Sequence, residues 1–286
     1  MNNFTIMEEK ITPILVSLSD YALDGEGSTG ESYVLKSDPS VMMKLFYPGK
    51  HQQPIDEMRM ARKVYAAGIP TPEPGDFVTT EDGRLGIRFR RIIGKKSFSR
   101  ATGEDPANVE RYATEFAEMC KALHAVHLDT SQFESVKKRD LDMLEANPFF
   151  TPVEKERLAR FINDAPDADT AVHGDLQYSN AIFTANERYF IDLGDFCYGY
   201  YMFDVAMVYL CCCLSQEEFI LNTFHMPKSL SRKFWSYFAP VYFGSDRPLS
   251  SIDEEIRPYA GLKTLMIERE TGCPMPEFRE TLVGII

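Results

Sequence analysis

Hydrophobic and polar positions change their period once along the chain. Before about residue 94 the apolar residues come in short β-prone runs separated by turn residues. Ser32 to Leu35 and Val41 to Tyr47 flank the turn-rich Lys36 to Ser40, which predicts a hairpin. Asp76 to Thr80 and Arg84 to Ile93 flank Glu81-Asp82-Gly83, which predicts a second. Between them Pro54 opens a helical stretch with Ile55, Met58, Val64 and Tyr65 on one face, closing near Gly68 and Pro70. After Asp105 the period lengthens. Tyr112, Phe116, Met119, Leu123 and Val126 recur at helical spacing over 108–127, and helices dominate to the end except for two short strands around 170–192. Strands first and helices afterwards predict an α+β protein of two lobes, 1–94 and 95–286, rather than a doubly wound sheet.

Composition changes little in that picture. Hydrophobic residues at 44% and charged residues at 26% of 286 positions are globular proportions, so long disordered tracts are not expected. A formal charge of −12 argues against a nucleic-acid partner, which needs a basic face. The N-terminal MNNFTIMEEK lacks the form of a signal peptide, and Val205 to Leu214 is too short to span a bilayer, so a cytoplasmic protein without a membrane partner is expected, as a monomer or homodimer. The consecutive Cys211, Cys212 and Cys213 read as small buried apolar residues of a reducing compartment.

Candidate chemistry concentrates in His173-Gly174-Asp175-Leu176-Gln177-Tyr178-Ser179-Asn180, followed by Asp192 in Tyr189-Phe190-Ile191-Asp192-Leu193-Gly194-Asp195. A carboxylate, an amide oxygen and a second carboxylate suit Mg²⁺ shared with a triphosphate, since Mg²⁺ takes hard oxygen ligands. A hairpin over 181–192 would bring Asn180 and Asp192 to one end of a ladder and leave Asp175 on the preceding loop, where it can accept a hydroxyl proton. Upstream, Gly25-Glu26-Gly27-Ser28-Thr29-Gly30 fits G-x-G-x-x-G, but strands rather than a helix follow it, which excludes a dinucleotide fingerprint. It is either a glycine turn laying backbone N–H groups over phosphates or a plain turn. Lys44 lies inside the apolar run Val41 to Phe46, where an ammonium needs a partner unless the strand is an exposed edge.

The ordered set H-G-D-L-x-x-x-N and I-D-x-x-D resembles the aminoglycoside phosphotransferase and choline kinase family, a branch of the protein-kinase-like fold. It differs from the protein-kinase loop in having Gly174 for arginine and Leu193-Gly194 for Phe-Gly. The resemblance implies a small β-rich nucleotide-binding lobe and a larger helical lobe that carries catalysis and acceptor binding. It implies Asp175 as catalytic base, Asn180 and Asp192 as Mg²⁺ ligands, and His173 as a brace. Lys44 would touch the phosphates of ATP or GTP while held by Glu57, with Asp56 the alternative; Gly27, Ser28 and Gly30 would cover the nucleotide, and backbone groups at Arg91 to Ile93 would meet its base. The acceptor would be a hydroxyl of a small molecule. Asp204 would steady the catalytic loop or simply cap its own helix. His124 is expected to pack, and Tyr198, Tyr200, Tyr201 and Phe203 would line an acceptor pocket or the core. A protein kinase and a non-catalytic nucleotide-binding protein are the alternative functions; the absent A-P-E segment argues against the first and the intact Asp175 against the second.

Overall fold

The computed structural model describes residues 12–27, 29–282 and 284–285. The chain divides into two compact units between Gly94 and Lys95.

The first unit is a six-stranded sheet with one helix. Its elements are β1 (Ile14–Val16), β2 (Tyr21–Glu26), β3 (Gly30–Leu35), β4 (Val41–Phe46), α1 (Gln52–Ala66), β5 (Pro74–Thr80) and β6 (Leu85–Arg90), in sheet order β1-β5-β6-β4-β3-β2. The β3–β4 and β5–β6 pairs are the two hairpins expected from the sequence, and Gly83 at φ +82° makes the second turn. Strand periodicity then separates the side chains of β4. Met43 and Leu45 join Val16, Tyr21, Tyr33 and Val78 in one apolar cluster. Phe46 joins Phe77, Ile87 and Met58 of α1 in another. Lys44 alternates with Met43 and Leu45 and so shares the α1 side with Phe46; its ammonium stands 5.0 Å from that ring centre. Tyr65, expected on the buried face of α1, is 44% exposed, because α1 docks through Met58, Ala61 and Val64 instead.

The second unit begins with β7 (Lys96–Ser97), α2 (Phe98–Glu104), α3 (Val109–His124), α4 (Val136–Ala146) and α5 (Pro152–Asp164). The strands β8 (Ala171–Val172), β9 (Ala181–Phe183), β10 (Arg188–Phe190) and β11 (Cys197–Tyr198) follow. The chain then continues through α6 (Met202–Tyr209), α7 (Glu217–Phe224), α8 (Lys228–Phe243), α9 (Leu249–Leu262), α10 (Thr264–Thr271) and α11 (Pro276–Arg279). Where two strands were expected around 170–192 there are three, in two small sheets, β10-β9-β7 and β11-β8. α3 buries Tyr112, Phe116 and Leu123 as expected, but Cys120 takes the buried place expected of Met119, which is partly exposed, and the helix stops at His124, leaving Val126 outside it. Phe116 meets Phe234 and Phe238 of α8. A second core gathers Val136, Leu144, Leu158, Ile162, Phe203, Leu262 and Leu265 from α4, α5, α6, α9 and α10. The expected apolar helix 205–214 is α6 plus a π-helical turn over Leu210–Leu214, in which the Ser215 amide reaches back to the Leu210 carbonyl. Cys211 and Cys212 are buried there, Cys213 is partly exposed and Cys273 is exposed. Among the described residues no helix is long and apolar enough to cross a membrane.

Candidate active site

The loop between β8 and β9 alternates like a strand, and this alternation builds the site. Leu176, Tyr178 and Asn180 are buried, while Asp175, Gln177 and Ser179 are partly exposed. Tyr178 anchors the loop, its hydroxyl 2.9 Å from Ser231 Oγ of α8 and its ring 4.5 Å from that of Phe224. Asp175 is thereby turned towards its neighbours. Its Oδ2 accepts from Gln177 Nε2 and from Asn180 Nδ2, both at 2.9 Å, and Asn180 Nδ2 also donates to the Asp175 carbonyl at 3.1 Å. Burial pushes the Asp175 carboxyl above its ordinary value, against the charges of His173 and Lys263 and the Gln177 hydrogen bond, with the Asp192 charge adding to the rise.

The β9–β10 hairpin returns the chain to the same place. Arg188, Tyr189 and Phe190 pair with Phe183, Ile182 and Ala181, and the Ile191 amide then donates to the Asn180 carbonyl at 2.9 Å. Asp192 therefore leaves the ladder at the end where Asn180 enters it. It does so with φ +62°, a left-handed conformation that a residue with a side chain seldom takes. His173 ties the two loops together, its Nε2 3.0 Å from the Ile191 carbonyl oxygen.

Two oxygen-bearing groups remain for a cation. Both polar contacts of the Asn180 amide run through Nδ2, which leaves Oδ1, and the Asp192 carboxylate makes no hydrogen bond or ion pair among the described residues. Among the described residues no three His, Cys, Asp or Glu side chains form a closed metal site. An amide oxygen beside a single carboxylate fits a hard cation that keeps water and phosphate oxygens in its shell, the usual habit of Mg²⁺.

Three residues outside the loop hold its backbone. Asp204, in the first turn of α6, accepts the amides of His173 at 2.7 Å and Gly174 at 2.9 Å, and His124 Nε2 lies 2.9 Å from the same carboxylate. Asp204 does not cap α6, whose preceding residue is Tyr201; it steadies the loop instead. Burial alone would raise its carboxyl, but the His124 hydrogen bond and the charges of His124, His173 and Lys263 hold it below the ordinary value. His124 is packed as expected, with Nδ1 2.6 Å from the Tyr242 hydroxyl. Arg139 of α4 and Lys263, between α9 and α10, donate to the carbonyls of Asp195 at 2.9 Å and Gly174 at 3.1 Å. Neither was singled out from the sequence. Gly174 has φ +89°, and a Cβ there would fall 2.0 Å from the Asp195 carbonyl oxygen and 2.6 Å from the Arg139 guanidinium. Of the aromatic group after β11, Phe203 belongs to the core, while Tyr200 and Tyr201 are partly exposed with rings 4.6 Å apart.

In the first unit Lys44 Nζ lies 2.7 and 2.8 Å from the two carboxylate oxygens of Glu57. Asp56 instead accepts from Gln52 at 2.8 Å. The glycine segment forms the β2–β3 turn. The Gly27 amide donates to the Gly30 carbonyl at 2.8 Å, so it is used within the turn, and Ser28 lies outside the described residues. Gly30 is glycine for a packing reason, since a Cβ would fall 2.3 Å from the Leu45 carbonyl oxygen of β4. The Arg91 amide, expected to meet a base, donates to the Ser40 carbonyl at 2.6 Å, which continues the β4–β6 ladder past its last pair, Val41 with Arg90. The Arg91 guanidinium pairs with Asp24 at 2.9 Å, and Ile93 is 65% exposed.

Solved structures similar to this chain agree with the fold. A thermostable mutant of aminoglycoside phosphotransferase APH(4)-Ia, in a ternary complex with ADP and hygromycin B, is 15% identical over 89% of this chain and 88% of that one, with a TM-score of 0.61. A choline/ethanolamine kinase family protein from Mesorhizobium loti is 14% identical over 92% and 85%, with a TM-score of 0.53. Amicoumacin kinase hAmiN, in complex with AMP-PNP, Ca²⁺ and Ami, is 14% identical over 96% and 89%, with a TM-score of 0.55. No curated protein sequence matches the chain. The model of the phosphotransferase enzyme family matches residues 17–227, a span holding Lys44, Glu57, Asp175, Asn180, Asp192 and Asp204, and the chain belongs to that family.

Proposed function

We propose that this phosphotransferase moves the γ-phosphoryl group of ATP or GTP onto a hydroxyl of a small molecule of aminoglycoside, choline-like or sugar-like type. The observation that carries the proposal is the placing of Asp175 against Asn180, with Asp192 leaving the same end of the hairpin. In this reading Asn180 Oδ1 and the Asp192 carboxylate hold Mg²⁺, which when bound neutralises phosphate charge. Lys44, oriented by Glu57, binds phosphate oxygens, while the glycine turn at Gly27 to Gly30 covers the nucleotide and the backbone at 92–93, past the Arg91 amide held by Ser40, meets its base. Asp175 accepts the proton of the attacking hydroxyl. Its hydrogen bonds from Gln177 and Asn180 fix the direction in which that proton is taken. Positioning and fixed charge would supply most of the acceleration.

The test couples ADP release to a panel of small alcohols and amino alcohols, after confirming a Mg²⁺-dependent thermal shift with nucleotide. Asp175→Asn is expected to lower turnover about a thousandfold or more while leaving Mg-nucleotide affinity within about threefold. A variant with undiminished turnover removes Asp175 from the reaction. Nucleotide binding without transfer to any acceptor favours a regulatory binding protein, and transfer to a generic protein substrate but to no small molecule favours a protein kinase.

A further inference from the structure

The peptide group between Gly174 and Asp175 is held from a distant part of the chain. Its carbonyl accepts from Lys263 Nζ at 3.1 Å, across 89 residues of sequence. The amide on the other side of Gly174 is held by Asp204 Oδ1 at 2.9 Å. Glycine at φ +89° has little intrinsic resistance to turning its following peptide plane, and that plane sets where the Asp175 side chain starts. An external donor on the carbonyl supplies the missing resistance.

Lys263 is an expensive way to make one neutral hydrogen bond. It is 3% exposed, and burying an ammonium there costs more than packing an apolar residue of equal size. It forms no ion pair among the described residues, although its charge reaches the carboxylates of Asp175 and Asp204. Its hydrogen bond goes to the peptide that carries Asp175. The later turn at Asp195 is gripped in the same manner: Arg139 holds the Asp195 carbonyl, which packs so closely on Gly174 that no side chain fits between them. The base-bearing and metal-loop turns thus touch, and a buried cation from outside the motif holds a carbonyl of each.

We propose that Lys263 is a positioning residue which, by fixing the Gly174 carbonyl, aims Asp175 and acts on phosphotransfer only through it. The kinetic side of this proposal rests on the reading of Asp175 as the base. Lys263→Met keeps the length and volume of the side chain and removes the donor and the charge. Its turnover is expected to fall about thirtyfold or more, with Mg-ATP affinity within about threefold of wild type. In an Asp175→Asn background the same substitution is expected to cost nothing further, the mark of two residues acting as one unit. An unchanged turnover, or a full second loss in the double variant, overturns the proposal. Should Lys263→Met fail to fold, Lys263→Gln, which loses the charge but keeps a donor for the Gly174 carbonyl, is expected to retain turnover within about fivefold of wild type, and a loss of about thirtyfold or more in it overturns the proposal.

Amide hydrogen exchange of the segment 173–176 separates this proposal from the functional reading. Exchange in the nucleotide-free protein is expected to be about tenfold faster or more in Lys263→Met than in wild type and in the control Lys233→Met, at an exposed lysine of α8. Faster exchange in a protein that turns over no nucleotide supports the brace and contradicts the phosphotransfer reading. Unchanged exchange overturns the brace whatever the activity.

Discussion

At the scale of single residues, Gly174 is where sequence and geometry constrain each other most tightly. A methyl group there meets the Asp195 carbonyl oxygen at 2.0 Å, and the backbone is already at φ +89°. Gly174→Ala must therefore both strain the turn and push apart the two loops that carry Asp175 and Asp192. We expect a loss of about 2–4 kcal/mol in denaturant unfolding, with an unchanged m-value, and turnover reduced further than stability alone explains. Asp175 behaves in the opposite sense. Its folded carboxyl is raised, so above its folded pKa the ionised form costs folding free energy. Asp175→Asn should accordingly melt no lower than wild type while losing its turnover. The spacing of Asp175, Asn180 and Asp192 was legible because one loop and one hairpin join them. Arg139 and Lys263 were not, since a cation in an amphipathic helical stretch reads as surface until partners 56 and 89 residues away are seen.

At the scale of elements, the N-terminal turn of α6 is the part on which the loop carrying Asp175 depends. Asp204 satisfies two buried backbone amides at once, and removing its carboxylate leaves both without that acceptor. Asp204→Ala should cost about 3–5 kcal/mol in denaturant unfolding. The pH dependence follows from the sign of the shift. The folded carboxyl lies below its ordinary value of 3.8, so its contribution is present above that value and fades as the pH falls towards the folded one. Acid unfolding followed by circular dichroism should show that loss in wild type and a shallower slope in Asp204→Ala. The sequence left open whether Asp204 capped its own helix or steadied the loop, because both roles place an acidic residue in the first turn. The hairpins β3–β4, β5–β6 and β9–β10 were legible from local alternation and turn residues. β1 was not, since three residues with Ile14 and Leu15 exposed carry no alternation, and their partner β5 is a distant parallel strand. The π-helical turn at Leu210–Leu214 was hidden inside a continuous apolar run.

At the scale of the whole molecule, the shift from strand to helical period falls at the division between the two compact units, Gly94 and Lys95. Each unit holds its chemistry by a different device. In the first, strand alternation puts Lys44 on the α1 side, where Glu57 meets it at 2.7 Å. In the second, a loop with buried alternate residues and a short hairpin aim an amide and two carboxylates, with charged groups of α4, α6 and the α9–α10 junction holding the backbone beneath them. Acceptor choice has no comparable local signature in the sequence after Asp204, because helix faces rich in acids and aromatics serve solvation and packing as readily as recognition. The central claim concerns the oxygen groups at the end of the β9–β10 hairpin. It is tested most directly by calorimetric titration of ATP, with and without Mg²⁺, into wild type and Asp192→Ala. The account predicts Mg²⁺-dependent binding to wild type that weakens about a hundredfold or more in Asp192→Ala; equal Mg-ATP affinity in the two proteins would contradict it.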